Sequence, residues 1–234
     1  MRNSWGNHTD GISDTKMAFK QLIAFSEKLE NDLARRDYLQ LLGMTLQNEL
    51  LLRPILGPYA NDECSPDNPS YFMGDPANNI IDIRTEYRYR KYDGLWKASL
   101  SNNIVLPWPW HSNRYSQALN TIGKGKIKGP WRKNPNYDNH HTKLYLPWGL
   151  IFIGGGNHSI TAGVLAREGE VGIDTVYDCS GLYELLYTDG QSFYLNNGKV
   201  MPNKCSLWFA VIFEVAKGFS NKDPQYLWEN CWNS

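Results

Sequence analysis

The sequence predicts an α+β protein with an N-terminal helical segment over residues 1–57, a linker over 58–80 and a mixed α/β domain over 81–234. Three observations carry this. Leucines and other apolar residues recur every three to four positions between Asp14 and Pro54. The apolar run "LIFI" ends in Gly154, Gly155 and Gly156, after which "NHSITAGVLAREG" reads as a helix. Finally, "LYELLYTDGQSFYL" reads as a hairpin turning at Asp189-Gly190. A hydrophobic content of 41% over 234 residues is enough for a sizeable core and excludes general disorder.

In the helical segment Asp14 is placed to cap the start, and Phe19, Leu22, Ile23, Leu29 and Leu33 begin an apolar stripe. Leu39, Leu42, Leu46 and Leu50 continue it, as two helices or one bent one, and Pro54 with Gly57 supplies a stop. No heptad repeat is sustained, so the stripe is expected to pack on the rest of the chain rather than form a coiled coil. The linker is crowded with Pro, Gly, Asn and Asp. Beyond it, Ile81, Ile83, Tyr87 and Tyr89 alternate with charged residues, as in a half-exposed strand. Its basic side chains Arg84, Arg88, Arg90 and Lys91, beside tyrosines, could contact nucleic acid through charge and stacking, or form an ordinary solvated face. "NIVLPW" and "IDTVYDC" read as strands and "SQALNTIG" as a short helix; residues 206–217 are apolar nearly all round, as in a buried helix.

Formal net charge is zero, so no global attraction to nucleic acid exists, although a local basic face remains open. The four cysteines form no CxxC pair and carry no zinc signature; free, mostly buried thiols are expected. No stretch reaches the ~20 apolar residues of a membrane span. The N-terminus lacks a signal peptide's apolar stretch, so a cytoplasmic protein without membrane contact is expected.

The three glycines pose the chemical question. Glycine permits positive φ and close approach of a ligand to the backbone. The first amides of the helix that follows have no intrahelical partner, and its dipole adds positive character. Together these suit a phosphate, with Asn157, His158 and Ser159 contributing polar side chains. The same stretch also reads as a tight strand-to-helix turn capped by Asn157 or Ser159, with His158 merely packed. It is neither a Walker A loop nor a dinucleotide fingerprint.

The order of strand, Gly-Gly-x-His-x and helix resembles the signature of the ParB/sulfiredoxin-like superfamily, whose members place a nucleotide's phosphates on this turn. The sulfiredoxin motif Gly-Gly-Cys-His-Arg would fall on Gly155 to Ser159, and the ParB motif Gly-Glu-Arg-Arg would start at Gly156. Upstream, "VLPWPWHSNRYSQALNTIG" is similar to the family's entry segment, with Arg114 as the arginine of its turn. The likeness covers about residues 103–180. It implies a ParB/sulfiredoxin-like fold that binds a nucleotide, with Mg2+, or a nucleic-acid phosphate, through Gly154, Gly155, Gly156, Asn157, His158, Ser159 and Arg114. Asn157 stands where sulfiredoxins carry their catalytic cysteine, which excludes sulfinic acid reduction, because an amide cannot replace a thiolate.

Other groups invite chemistry. His158 with Asp178 as base or magnesium ligand would support slow phosphoester or nucleotide hydrolysis. Asp138, His140 and His158 could gather round a metal, against the simpler reading of a polar loop. The stretch "LPWPWH", with Trp108, Trp110 and His111, together with Trp131 and Trp148 could form a wall that stacks on a base, or a core plug. The leading expectation is phosphate binding at the glycine turn. The alternatives are a non-catalytic DNA- or RNA-binding module and a phage- or plasmid-borne factor that binds a protein partner.

Overall fold

A computed structural model describes residues 10–56, 66–75, 96–133 and 139–233, with the side chains of residues 10–13 excluded. The expected mixed α+β composition is present. Helices α1 (Asp10–Ser26) and α2 (Asp32–Leu56) open the chain. Helix α1 starts before Asp14, which lies inside it. Helix α2 ends at Leu56, directly before Gly57, as the stop expected from Pro54 with Gly57 requires, and Pro54 sits in its last turn. Leu39, Leu42, Leu46 and Leu50 are all buried, as their spacing predicts, whereas Leu33 is exposed.

Helix α3 (Ser70–Met73) falls within the stretch expected as linker. Its Phe72 and Met73 are buried, and Phe72 lies 5.9 Å from the ring of Phe209. This part of the chain therefore anchors the helical segment to the core. Helices α1 and α2 share one hydrophobic cluster with the sheet.

Strands β1 (Lys97–Ser99) and β2 (Ile104–Leu106) lead into α4 (Ser112–Thr121). Then come β3 (Thr142–Leu146), β4 (Leu150–Ile153) and α5 (Asn157–Ala166). Strands β5 (Glu170–Gly172) and β6 (Thr175–Asp178) follow, then the hairpin of β7 (Leu186–Thr188) and β8 (Phe193–Leu195). Helices α6 (Leu207–Ala216) and α7 (Pro224–Leu227) and a π-helical turn over Trp228–Trp232 close the described fold. The main sheet has the order β2-β4-β3-β6, with β2 parallel to β4, β4 antiparallel to β3 and β3 parallel to β6. Among the described residues strand β1 pairs with β5 alone.

Tyr145 and Phe152 share one face of the sheet, as the period-two register requires, and their rings meet at 5.1 Å. Phe152 also meets Phe72, so α3 and α6 cover that face. Helix α2 runs along the outer edge of β2. There Gln47 Nε2 donates to the carbonyl of Val105 at 2.6 Å, and Gly43 lets the helix approach Ile104 so closely that a Cβ would lie 2.9 Å from its Cγ1. At the C-terminal end of α5 the chain turns through Arg167, a non-glycine residue at φ 56°, and Gly169 follows at φ 96°.

Candidate functional site

Every residue of β4 is buried, and the chain leaves the sheet at Gly154. The amide of Gly154 donates to the carbonyl of His141 at 2.7 Å, continuing the pairing with β3 for one residue. Gly156 then takes a left-handed conformation, φ 71° and ψ 16°, and stands at the N-cap of α5 with no side-chain cap. Neither Asn157 nor Ser159 caps the helix. Asn157 Oδ1 instead accepts the amide of Trp108 at 2.7 Å, and Ser159 Oγ donates to the carbonyl of Gly156 at 3.0 Å.

The glycines have a local cause. A Cβ on Gly155 would lie 2.2 Å from the carbonyl oxygen of Asn139, and one on Gly156 would lie 2.0 Å from the ring of buried His140. Packing of the 139–141 segment against the turn therefore demands glycine without any ligand. What that packing leaves open are the amides. Among the described residues nothing accepts from the N–H groups of Gly155, Gly156, Asn157, His158 or Ser159; the first helical bond runs from Ile160 N to the carbonyl of Gly156 at 3.1 Å.

A second helix begins at the same place. His111 is the N-cap of α4, its Nδ1 accepting the amide of Arg114 at 3.3 Å. The His111 amide in turn donates to His158 Nε2 at 3.3 Å. The N-termini of α4 and α5, each ten residues long, thus converge, and the positive ends of their dipoles add. Arg114 holds its guanidinium 5.6 Å from the ring of Trp110, and that ring meets His158 edge-on, also at 5.6 Å. Burial first, then the nearby charge of Arg114, hold the His158 pKa below the usual imidazole value. An imidazole that accepts an N–H at Nε2 is neutral, so His158 contributes an Nδ1–H donor rather than a cation.

On the opposite side of α5, His140 Nε2 and Ser159 Oγ lie 3.0 Å apart, and Trp131 Nε1 donates to the carbonyl of Ser159 at 2.7 Å. A cavity of about 300 Å3 opens here, lined by Lys128, Trp131, Arg132, Asn139, His140 and Ser159 among others. Because the Ser159 hydroxyl is already engaged twice, it is poorly placed to donate to a phosphate.

The structure brings His158, Arg114, Asn157 and the glycines together, but not Asp178. Strand β4 leaves the sheet beside Thr142, whereas Asp178 pairs with Leu146 at the other end of β3. The separation is about 13 Å at ~3.3 Å per residue. Asp178 accepts the amide of Ser180 and so shapes the turn that follows β6. It does not join His158. His140 and His158 serve different partners, and Asp138 lies outside the described residues, as do Arg84, Arg88, Arg90 and Lys91. Among the described residues no group of three His, Cys, Asp or Glu side chains could hold a metal ion.

The aromatic wall is absent too: Trp108, Trp131 and Trp148 are buried, and only Trp110, at 57% exposure, offers a face. Asp189 shapes the hairpin turn, as expected, by accepting the amides of Gln191 and Ser192. The described cysteines, Cys179, Cys205 and Cys231, are free thiols. The capping role of His111 escaped sequence reasoning because histidine is a weak N-cap signal. The contact of His140 with Ser159 escaped it because the two lie 19 residues apart in the chain. No described helix is long and apolar enough to cross a membrane.

The model of a family of unknown function, DUF6710, matches residues 6–226. No curated protein and no solved structure matches the chain.

Proposed function

The chain belongs to the DUF6710 family, and we propose that it binds the phosphate of a nucleotide where α4 and α5 begin. One observation carries the reading: two helix N-termini converge, tied by the His111–His158 hydrogen bond, with the amides of residues 155–159 unclaimed among the described residues. Such amides, pre-oriented and reinforced by aligned dipoles, favour an anion over water. Arg114 would add a full positive charge and His158 an Nδ1–H donor. The exposed ring of Trp110 is available to a base.

The order strand, glycine turn, His158 and helix also supports the likeness to ParB/sulfiredoxin proteins. The reading is one of binding. Asp178 is too far away to act with His158 in hydrolysis, and Mg2+ would arrive with the nucleotide, held by its phosphates.

Thermal denaturation with nucleoside mono-, di- and triphosphates, with and without Mg2+, tests this. A ligand at a hundredfold excess over its Kd should stabilise by about 2.7 kcal/mol. For a chain of this size that raises Tm by roughly 5–10 °C. Arg114→Gln and His158→Ala should each reduce the shift. No shift with any nucleotide, or a shift both variants keep, refutes the proposal.

A further inference from the structure

Between Asp93 and Asp138 the chain carries seven Lys or Arg residues and no Asp or Glu, in a protein whose net charge is zero. Five of the seven, Lys124, Lys126, Lys128, Arg132 and Lys133, fall within ten residues, and all five are exposed. The structure shows what this stretch is: the segment that leaves the C-terminus of α4 and returns along α5.

This segment is a fixed platform. The amide of Gly123 donates to the carbonyl of Gly129 at 2.9 Å, and Lys128 N to that of Thr121 at 2.9 Å. Lys126 Nζ caps the carbonyl of Leu119 at 2.5 Å. The Glu168 carboxylate takes the amides of Lys124 (2.8 Å) and Trp131 (3.1 Å), and buried Trp131 pins the far end to α5 through Ser159. Glu168 is the acidic counterweight beside Lys124 and Lys126, and its carboxylate is held ionised by those two amides first and by the lysine charges second. Against it stand five cations. Among the described residues no carboxylate lies within ion-pair distance of Lys124, Lys126, Lys128 or Arg132.

We infer that this loop, residues 124–133, is a nucleic-acid-binding surface that grips a single strand by its phosphate backbone. A rigid row of exposed cations, four of them with no carboxylate at ion-pair distance among the described residues, matches a polymer of regularly spaced phosphates, whose binding releases condensed counterions. Exposed Trp110, backed by Arg114 at the other end of α4, supplies the stacking face that single-stranded sites combine with such a row. A bilayer would need a broader apolar face than Ile127 alone, which at 87% exposure is the loop's one large apolar side chain in the open. The cations of the loop lie outside the phosphate site proposed above and only Trp110 with Arg114 is shared, so loss of the salt response in a loop variant and loss of a nucleotide shift in His158→Ala can each occur without the other.

The test is fluorescence anisotropy of a labelled 20-nucleotide single strand, titrated with the full chain at 50 and 200 mM KCl. Five phosphate contacts give a slope near −3.5 in log K against log salt, so affinity should fall about 130-fold over that range. The triple variant K124Q/K128Q/R132Q, which spares the contact of Lys126 with Leu119, should bind more weakly and lose only about 7-fold over the same range. Trp110→Ala should weaken binding about tenfold at either salt. No binding at 50 mM KCl, a salt response unchanged in the triple variant, or full affinity in Trp110→Ala overturns the inference. So does binding to phosphatidylserine vesicles in place of the nucleic acid.

Discussion

Gly156→Ala asks whether the glycine turn is built for a ligand or for the protein itself. Gly156 sits at φ 71°, where an L-residue costs about 1 kcal/mol. A Cβ there would lie 2.0 Å from His140 Cδ2 and 2.7 Å from its Nε2, so the ring must leave its place. Leaving forfeits the contact of Nε2 with Ser159 Oγ at 3.0 Å, about 1 kcal/mol net, and the packing of a ring only 6% exposed, about another 1–2 kcal/mol. The expected loss is therefore about 3–4 kcal/mol, read by urea denaturation with the m-value held constant.

The same reasoning predicts strong coupling. In an His140→Ala background the clash partner is gone, and Gly156→Ala should then cost only the backbone strain, about 1 kcal/mol. A single-variant loss below 1 kcal/mol, or strictly additive losses in the double variant, would refute the assignment of this glycine to internal packing.

Two further outcomes follow from titrating groups. His158 is held below its unfolded pKa of 6.5, so the native state favours its neutral form. The stability this brings is fully present above pH 6.5 and is lost as pH falls through the folded value. Urea denaturation at pH 7.5 and 5.5 should show wild type losing more stability on acidification than His158→Gln, and equal losses would contradict the neutral imidazole. Burial pushes the Cys205 thiol up to about 11. At pH 8 its thiolate fraction is about a hundredfold below that of an ordinary cysteine of pKa near 9, and peptide-level mapping should find it alkylated slowly in native protein and rapidly in urea.

The leucines of α2 were legible because helical period translates directly into a buried stripe, and β4 because four consecutive apolar residues before glycines admit few other readings. The end of α2 was legible too, since the helix stops at Leu56, directly before Gly57, whereas the start of α1 was not: Asp14 is a plausible cap, but the helix begins at Asp10. The glycine turn was visible as glycine, yet its cause was not, since Asn139 and His140 reach Gly155 and Gly156 only once β3 pairs with β4. Asp178 was misplaced beside His158 for a related reason. Which end of a sheet a residue occupies depends on strand order and direction, and no local pattern encodes either. The charge asymmetry around residues 124–133 stood in the sequence throughout, hidden by a net charge of zero.

The docking of α2 against β2 and α6 has a consequence for how the chain comes off the ribosome. Leu39, Leu42, Leu46 and Leu50 emerge early, but α6, against which they are buried, ends about 160 residues after α2. At ~5–20 residues per second the stripe waits roughly 10–30 s for its cover. During that interval the nascent protein displays a greasy helix with no sheet to rest on. A holdase able to shield such a helix would raise the yield of folded chain, and synonymous codons that slow translation after residue 56 would lower it.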